Sequence, residues 1–270
     1  MDPMFDAPRL AIAFDASRVT GILLERGRPV AHAEAALARG ALVPRPLEEN
    51  LVRPADVRDA LAQVMRELGK SGAAALVLPD GIARFALLDL PGGVAALDAA
   101  RFRLGTALPF PVSEAAVDGV VAGPRRFLAA AVRRLVVRGY EAVAAEAGLR
   151  QERVDLAPLV SLSPLLAESG PIVAAHLGDA AFSVAVLRDG KVLSFRNRRR
   201  DPESDEYQRL RDEFLRSAAL QAIERPRIVV LGADAPELVA ALRNEGQQAE
   251  VGGKRSGSEP ASAGWLAAVS

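Results

Sequence analysis

The sequence predicts an α/β protein of two related lobes, with an α+β subdomain inserted into the first and a second lobe that is reduced. Two observations carry this expectation. "LAIAFDASRVTGILLERGRPV" (residues 10–30) and "IVAAHLGDAAFSVAVLRDGKVL" (residues 172–193) follow one pattern: an apolar run, a corner of small residues, a second apolar run, a turn and a third run. Short apolar runs bounded by turn residues read as strands, so the chain contains the same β-meander twice. Each meander is followed by a helical pattern and then another apolar run, which builds a mixed sheet with a covering helix.

In the first lobe (residues 1–81 and 149–170) the turn at Gly27–Pro29 reverses the chain. After the Pro-rich "LVPRPLEENLVRP", Val57, Leu61, Val64, Met65 and Leu68 recur at helical spacing, with Pro54 at the entry and Gly69 at the exit. "AALVLPD" reads as a buried strand. The insertion, residues 82–148, should run strand ("ARFALLDLP"), helix ("VAALDAARFRLGTAL"), loop and strand ("PFPVSEAAVDGVVAG"), strand ("RRFLAAAV") and helix ("RRLVVRGYEAVAAEAG"). "LRQERVDLAP" then returns to the parent lobe as a strand. In the second lobe (residues 171–270) "DPESDEYQRLRDEFLRSAALQAIER" is a helix with Leu210, Phe214, Ala218 and Ile223 near one face. "PRIVVLGAD" is a strand ending at Gly232, "APELVAALRNEG" a helix and "QQAEV" a short strand. "GGKRSGSEPAS" has the composition of an exposed loop, before a last apolar stretch, "AGWLAAVS".

Composition narrows the function. Half of the 270 residues are hydrophobic, and 34 basic residues balance 34 acidic ones, which argues against disorder and removes any global attraction to nucleic acid or anionic membrane. Aromatic residues, 4% of the chain, are too scarce for a base-stacking surface. The absence of cysteine excludes disulfides and thiolate metal sites, and the two histidines are far apart in sequence, so no metal ligand is assigned. No stretch has the length and apolarity of a membrane span or signal peptide, and a soluble, cytoplasmic protein is expected. No Ser/His/Asp order, P-loop or paired-carboxylate cleft is present, and no catalytic residue is assigned.

These parts, in this order, resemble the fold shared by actin, heat-shock ATPases and sugar kinases, which is ribonuclease H-like. More narrowly the chain resembles the PilM family, the actin-like proteins of type IV pilus assembly, and the cytoplasmic part of their type II secretion counterpart, GspL. "LAIAFDASRVTGILLE", "FRLGTALPFPVSEAAVDGVV", "LAAAVRRLVVRGYEAVAAEAGLRQERVDLAPLVSL", "VAAHLGDAAFSVAVLRDGKVLSFR", "IVVLGADAPELVAAL" and "ASAGWLAAV" carry the likeness, covering nearly the whole chain. It implies that each meander's first corner cups a nucleotide phosphate. In the second lobe one helix, residues 201–224, stands where the family has a longer stretch.

A phosphate loop of that kind needs an acidic residue, then glycine and small hydroxyl residues whose backbone N–H groups reach the phosphate oxygens. In the first loop Asp15 is present, but Ser17 replaces the family's glycine, and Arg18 and Val19 fill the hydroxyl positions. In the second, His176 stands where a carboxylate is expected, Gly178 remains and Asp179 follows; the nucleoside-side turn keeps only Gly232. Asp15, Ser17, Arg18, Gly178, Asp179 and Gly232 therefore read as a vestigial nucleotide site, with no cofactor expected and Mg-ATP retained only by the rival reading. Asp15 is read as a polar cap on its strand, His176 as a hydrogen-bonded interior residue, and "RNRRRD" (residues 196–201) as a self-neutralising loop. "PFP" at residues 109–111 fits a peptide groove as well as a stiffened loop. Asp15 and His176 are expected to face each other across the cleft.

The resemblance implies a non-catalytic, pseudo-ATPase scaffold on the inner face of the cytoplasmic membrane. Its partner would be the cytoplasmic N-terminal tail of a bitopic, PilN-like protein, held between the first lobe and the insertion. Leu135, Tyr140, Val143 and Ala147 are expected to be available for packing there. Membrane association would come through partners alone, and no nucleic acid is involved. The rivals are an ATP-binding switch of the same machinery, using Asp15, Ser17, Arg18 and Gly178, and a free-standing interaction module.

Overall fold

Alternation along the first meander decides its packing. In the computed structural model, β1 (Leu10–Phe14) sends Leu10, Ile12 and Phe14 into one core and Ala11 and Ala13 into another, on the opposite face of the sheet. β2 (Arg18–Glu25) and β3 (Arg28–Ala36) extend it antiparallel. The structure describes residues 10–25, 28–69, 72–90, 95–200, 206–232 and 234–252. The turn at Arg26 and Gly27, the stretch before Glu206, Ala233 and the closing "AGWLAAVS" lie outside them.

Helix α1 (Pro54–Leu68) starts with proline in its first turn and stops at Gly69, whose φ of 59° is left-handed. It buries Val57, Ala60, Leu61, Val64, Met65 and Leu68, the face that the spacing marks. β4 (Gly72–Leu78) joins β1 in parallel, and β8 (Leu149–Leu156) joins β4, giving the order β3-β2-β1-β4-β8. The second lobe repeats this plan. β9 (Pro171–Leu177), β10 (Ala181–Arg188), β11 (Lys191–Arg199), β12 (Arg227–Gly232) and β13 (Ala249–Val251) form a sheet of order β11-β10-β9-β12-β13, with the same pattern of antiparallel and parallel neighbours. The two meanders are equivalent halves of a duplicated fold. Helices α5 (Glu206–Leu220) and α6 (Ala235–Asn244) cover one face of the second sheet, with Leu210, Phe214, Ala218, Ile223, Leu238 and Leu242 in the core. Among the described residues α5 is the one element between β11 and β12.

The insertion is shorter than expected. β5 (Arg84–Asp89), α2 (Ala96–Gly105), β6 (Ala115–Gly123) and β7 (Arg126–Arg133) make a three-stranded antiparallel sheet, order β5-β7-β6, with α2 on one face. Helix α3 (Arg134–Glu146), read from sequence as part of it, instead buries Val136, Tyr140, Val143 and Ala144 in the first-lobe core. The Tyr140 and Phe14 rings meet there at 5.2 Å. An amphipathic helix goes where the larger apolar surface lies, which moves the boundary from 82–148 to the stretch from β5 to β7.

The other face of the small sheet lies on the second lobe. Ala122 and Leu128 pack with Val192, and with Leu162 of α4 (Ala157–Leu162), the helix that links the lobes. The Phe85 and Phe195 rings meet at 4.8 Å, tilted by 49°, and Arg126 donates to the carbonyls of Val192 (3.2 Å) and Leu193 (3.4 Å). The insertion therefore bridges the two lobes. Among the described residues no helix is long and apolar enough to cross a membrane.

Candidate functional site

The two corner loops meet at the seam between the lobes, and register decides which residues correspond. Phe14 pairs with Val19 across the first hairpin, and Leu177 with Phe182 across the second. Each loop closes with the same hydrogen bond: Asp15 N–H to the Arg18 carbonyl (2.9 Å), and Gly178 N–H to the Ala181 carbonyl (3.0 Å). Asp15 is thus equivalent to Gly178, and His176 to Ala13.

This corrects the expectation for His176. It is the penultimate residue of β9, on the face that packs against α4, and it does not face Asp15. Its Nδ1 lies 3.0 Å from the Ser161 Oγ, and the Ser161 hydroxyl donates to the Ala157 carbonyl at 2.8 Å. The Ser161 hydroxyl proton is engaged there, and the buried His176 ring is neutral. It is 3% exposed, and burial pushes its pKa down to about 4. The reading as a hydrogen-bonded interior residue holds.

What faces Asp15 is Asp179. The Asp179 carboxylate (Oδ2) accepts the Ser17 backbone N–H at 2.8 Å, and the Asp179 N–H points at Asp15 Oδ1 at 3.4 Å. Asp15 Oδ1 also accepts the Ala16 N–H at 2.9 Å, so it does cap its own loop. A third carboxyl, Asp80, comes from the turn after β4 (Asp80–Ile82) and is 1% exposed. Its Oδ2 accepts the Ser183 hydroxyl at 3.4 Å, while Oδ1 is buried with no hydrogen-bond partner. A Cβ on Gly178 would stand 2.8 Å from that oxygen, so only glycine lets the second loop approach so closely.

The electrostatics follow from burial and proximity. Burial, and then the Asp179 charge, raises the Asp15 carboxyl above the usual range. Burial, and then the Asp15 charge, pushes Asp80 up to about 7. The Tyr140 hydroxyl, buried and also without a hydrogen-bond partner, is raised for the same two reasons, burial and Asp15. Cationic groups stand at the margins. Arg18 pairs with Glu34 on β3 (3.5 Å), while Arg200 donates to the Gly178 carbonyl (2.9 Å) and pairs with Asp234 ahead of α6 (2.7 Å). Arg196 likewise pairs with Glu213, so that end of the basic run is neutralised locally.

Gly232 sits apart from this group. It ends β12 with φ 114°, and a Cβ there would fall 2.2 Å from the Leu177 carbonyl, so strand approach dictates the glycine. Of the six residues read from sequence, Asp15, Ser17, Gly178 and Asp179 come together, Arg18 turns toward β3 and Gly232 belongs to the sheet. Asp80, Ser183 and Arg200 were missed. The one available signal was a polar Asp-Gly at the end of the buried run "AALVLPDG". Among the described residues no group of three or more His, Cys, Asp or Glu side chains is arranged to hold a metal ion.

A second surface lies between the first lobe and the insertion. β6 and β8 are both edge strands, and Asp118 of β6 is near enough to Asp155 of β8 to raise its carboxyl, after the larger effect of burial. Val120, Val121 and Val154 are exposed there at 40%, 76% and 37%. On α3, Leu135 is 43% exposed, whereas Tyr140 and Val143, expected to be available, are buried in the lobe.

No protein-family model matches the chain, and no curated protein matches it by sequence. Solved structures do match. The PilM–PilN type IV pilus biogenesis complex aligns with a TM-score of 0.74 and 21% identity over 97% of both chains. A Bacteroides thetaiotaomicron protein with an actin-like ATPase fold and unknown function aligns at 0.56 and 12%, over 93% of both. The cytoplasmic domain of EpsL, an inner membrane component of the type II secretion system of Vibrio cholerae, aligns at 0.52 and 12%, over 82% of this chain and 81% of that one. The fold is the actin-like ATPase fold.

Proposed function

We propose that this chain is a non-catalytic actin-fold scaffold of a type IV pilus or type II secretion inner-membrane platform, working on the cytoplasmic side. In this reading the cytoplasmic tail of a bitopic, PilN-like membrane protein binds between the first lobe and the insertion, and the chain reaches the membrane through that partner alone. One observation carries the non-catalytic part: the carboxylate of Asp179 already occupies the Ser17 amide that a phosphate oxygen would need. Without a magnesium ion between them, each carboxylate–phosphate charge pair at about 4 Å and an effective dielectric near 20 would cost roughly 4 kcal/mol, and among the described residues no group of carboxylates is arranged to hold that ion. The partner part is supported by the likeness to the PilM–PilN complex and by the unpaired edges of β6 and β8, which can take an extended segment by backbone pairing.

The test is titration calorimetry of the intact chain with a synthetic peptide of a PilN-like N-terminal tail, with and without millimolar Mg-ATP. Micromolar binding, indifferent to ATP, is expected. It should disappear when the insertion from β5 to β7 is replaced by a short linker with α3 retained, provided the variant still melts cooperatively. Equal binding by that variant would place the groove elsewhere. A saturable rise of several degrees in melting temperature with Mg-ATP would instead support the ATP-binding switch.

A further inference from the structure

We propose that the seam between the lobes is a proton-sensitive clasp: Asp15 and Asp80, with the Asp179 carboxylate beside them, let the two corner loops close on each other only while one of the pair holds a proton, and ionisation of both opens the lobes. The contacts are reciprocal. The second loop gives a carboxylate to the Ser17 amide and an amide to the Asp15 carboxylate, across 162 and 164 residues of chain. Asp80 completes the junction through Ser183 and the close approach of Gly178.

Asp80 is buried, Asp15 half-buried and Asp179 exposed at the rim, and carboxylates brought together in this way repel one another unless cations or protons intervene. The groups facing them from each packed element can be named. From the first loop come Asp15 and Arg18, and Arg18 pairs with Glu34. From the second comes Asp179; β10 offers only the neutral Ser183, and α3 only the Tyr140 hydroxyl. From β11 comes neutral Asn197, bonded to Ser183 at 2.9 Å, and just beyond it Arg200, which reaches the Gly178 carbonyl and Asp234. His176 of β9 faces Ser161. No described lysine or arginine forms an ion pair with Asp15, Asp80 or Asp179, and the Arg18 charge, directed to Glu34, offsets the raising of Asp15 less than burial and Asp179 raise it. A second observation concerns hydrogen bonding: the Asp80 and Gly81 amides interact with the Asp80 carboxyl, but its buried Oδ1 accepts no hydrogen bond of good geometry, an acceptor that solvent would satisfy once the junction opened. The raised Asp15 and Asp80 carboxyls agree with this geometry. Closing takes up protons and opening releases them, so acid favours the closed form and alkali the open one.

The inference rests on the proposed function only in taking the loops as free of nucleotide, and its test uses neither nucleotide nor partner. The chain has no cysteine, so Ala55→Cys on α1 and Ala240→Cys on α6 allow clean spin labelling of one exposed site per lobe. Pulsed dipolar spectroscopy should give one narrow distance distribution at about pH 5.5. At about pH 8.5 a longer, broader one should appear, with the open-to-closed ratio rising at least tenfold through neutrality. Asp15→Asn with Asp80→Asn should stay closed at both values. Asp179→Asn, on the exposed loop and least disruptive to folding, should move the midpoint to higher pH. A wild-type distribution that ignores pH, or an equal shift in the Asn variants, overturns the clasp and leaves the tail-binding test untouched.

Discussion

His176 is a buried base held neutral, and its contribution to stability can be worked out in sign and size. Its pKa is depressed from 6.5 to about 4 in the folded protein, so between those values the unfolded chain binds more protons. Stability therefore rises with pH through that window and is lost as pH falls through it. The full penalty, reached below about pH 4, is roughly 3 kcal/mol at 1.36 kcal/mol per pKa unit. At about pH 5 it is about 2 kcal/mol, and at about pH 7.5 it is close to zero. His176→Gln removes the titration while keeping a donor for the Ser161 hydroxyl. Urea unfolding of both proteins across this range gives a difference curve in which groups common to both cancel. The variant should gain about 2 kcal/mol relative to wild type on going from about pH 7.5 to 5, whatever its offset at neutral pH. A flat difference curve would mean that His176 titrates normally, and the reading of a buried, neutral imidazole would then be wrong.

Asp80→Asn should show the opposite slope. A carboxyl raised from 3.8 to about 7 makes the folded state hold the extra proton, so wild-type stability falls as pH rises between those values, and the variant should gain up to about 4 kcal/mol by about pH 8 in the same urea series. Phe214→Ala, emptying a 1% exposed position under the second sheet, should cost about 3–5 kcal/mol by denaturant unfolding with little change in the m-value. Gly232→Ala forces a Cβ to within 2.2 Å of the Leu177 carbonyl at a positive φ, so its melting temperature should drop by several degrees; an unchanged value would show that β12 has room to move.

Most of the fold is legible in the sequence because it rests on local periodicity. The duplicated meander, the apolar face of α1 between Pro54 and Gly69, and the alternation that sends Phe14 one way and Ala13 the other all follow from neighbours in the chain. The boundary of the insertion is not local. The sequence "RRLVVRGYEAVAAEAG" is amphipathic wherever it packs, and only the tertiary core shows that Tyr140 lies against Phe14. The corner correspondence failed for a related reason. Small residues mark where a hairpin turns, but pairing register, visible only as Phe14–Val19 and Leu177–Phe182, fixes which of them are equivalent. Asp80 left only a polar Asp-Gly at the end of a buried run, since its role comes from contacts with Ser183, 103 residues away.

Two lobes joined by a short linking helix need something to hold them in one arrangement, and in a ligand-closed fold the ligand supplies it through binding linkage. In this chain the protein supplies it. Phe85 against Phe195, Leu128 and Ala122 against Val192, and Arg126 on two carbonyls of β11 fasten the insertion to the far lobe, away from the corner loops. Those contacts are mostly apolar and insensitive to pH, whereas every direct hydrogen bond between the corner loops uses a carboxylate. The seam has one permanent fastening and one that depends on solution conditions. The permanent one is built from the same three-stranded sheet whose free edge, β6, faces the first lobe. A segment pairing with β6 would therefore add to a sheet already anchored on the second lobe, and would engage both halves of the molecule without entering the cleft.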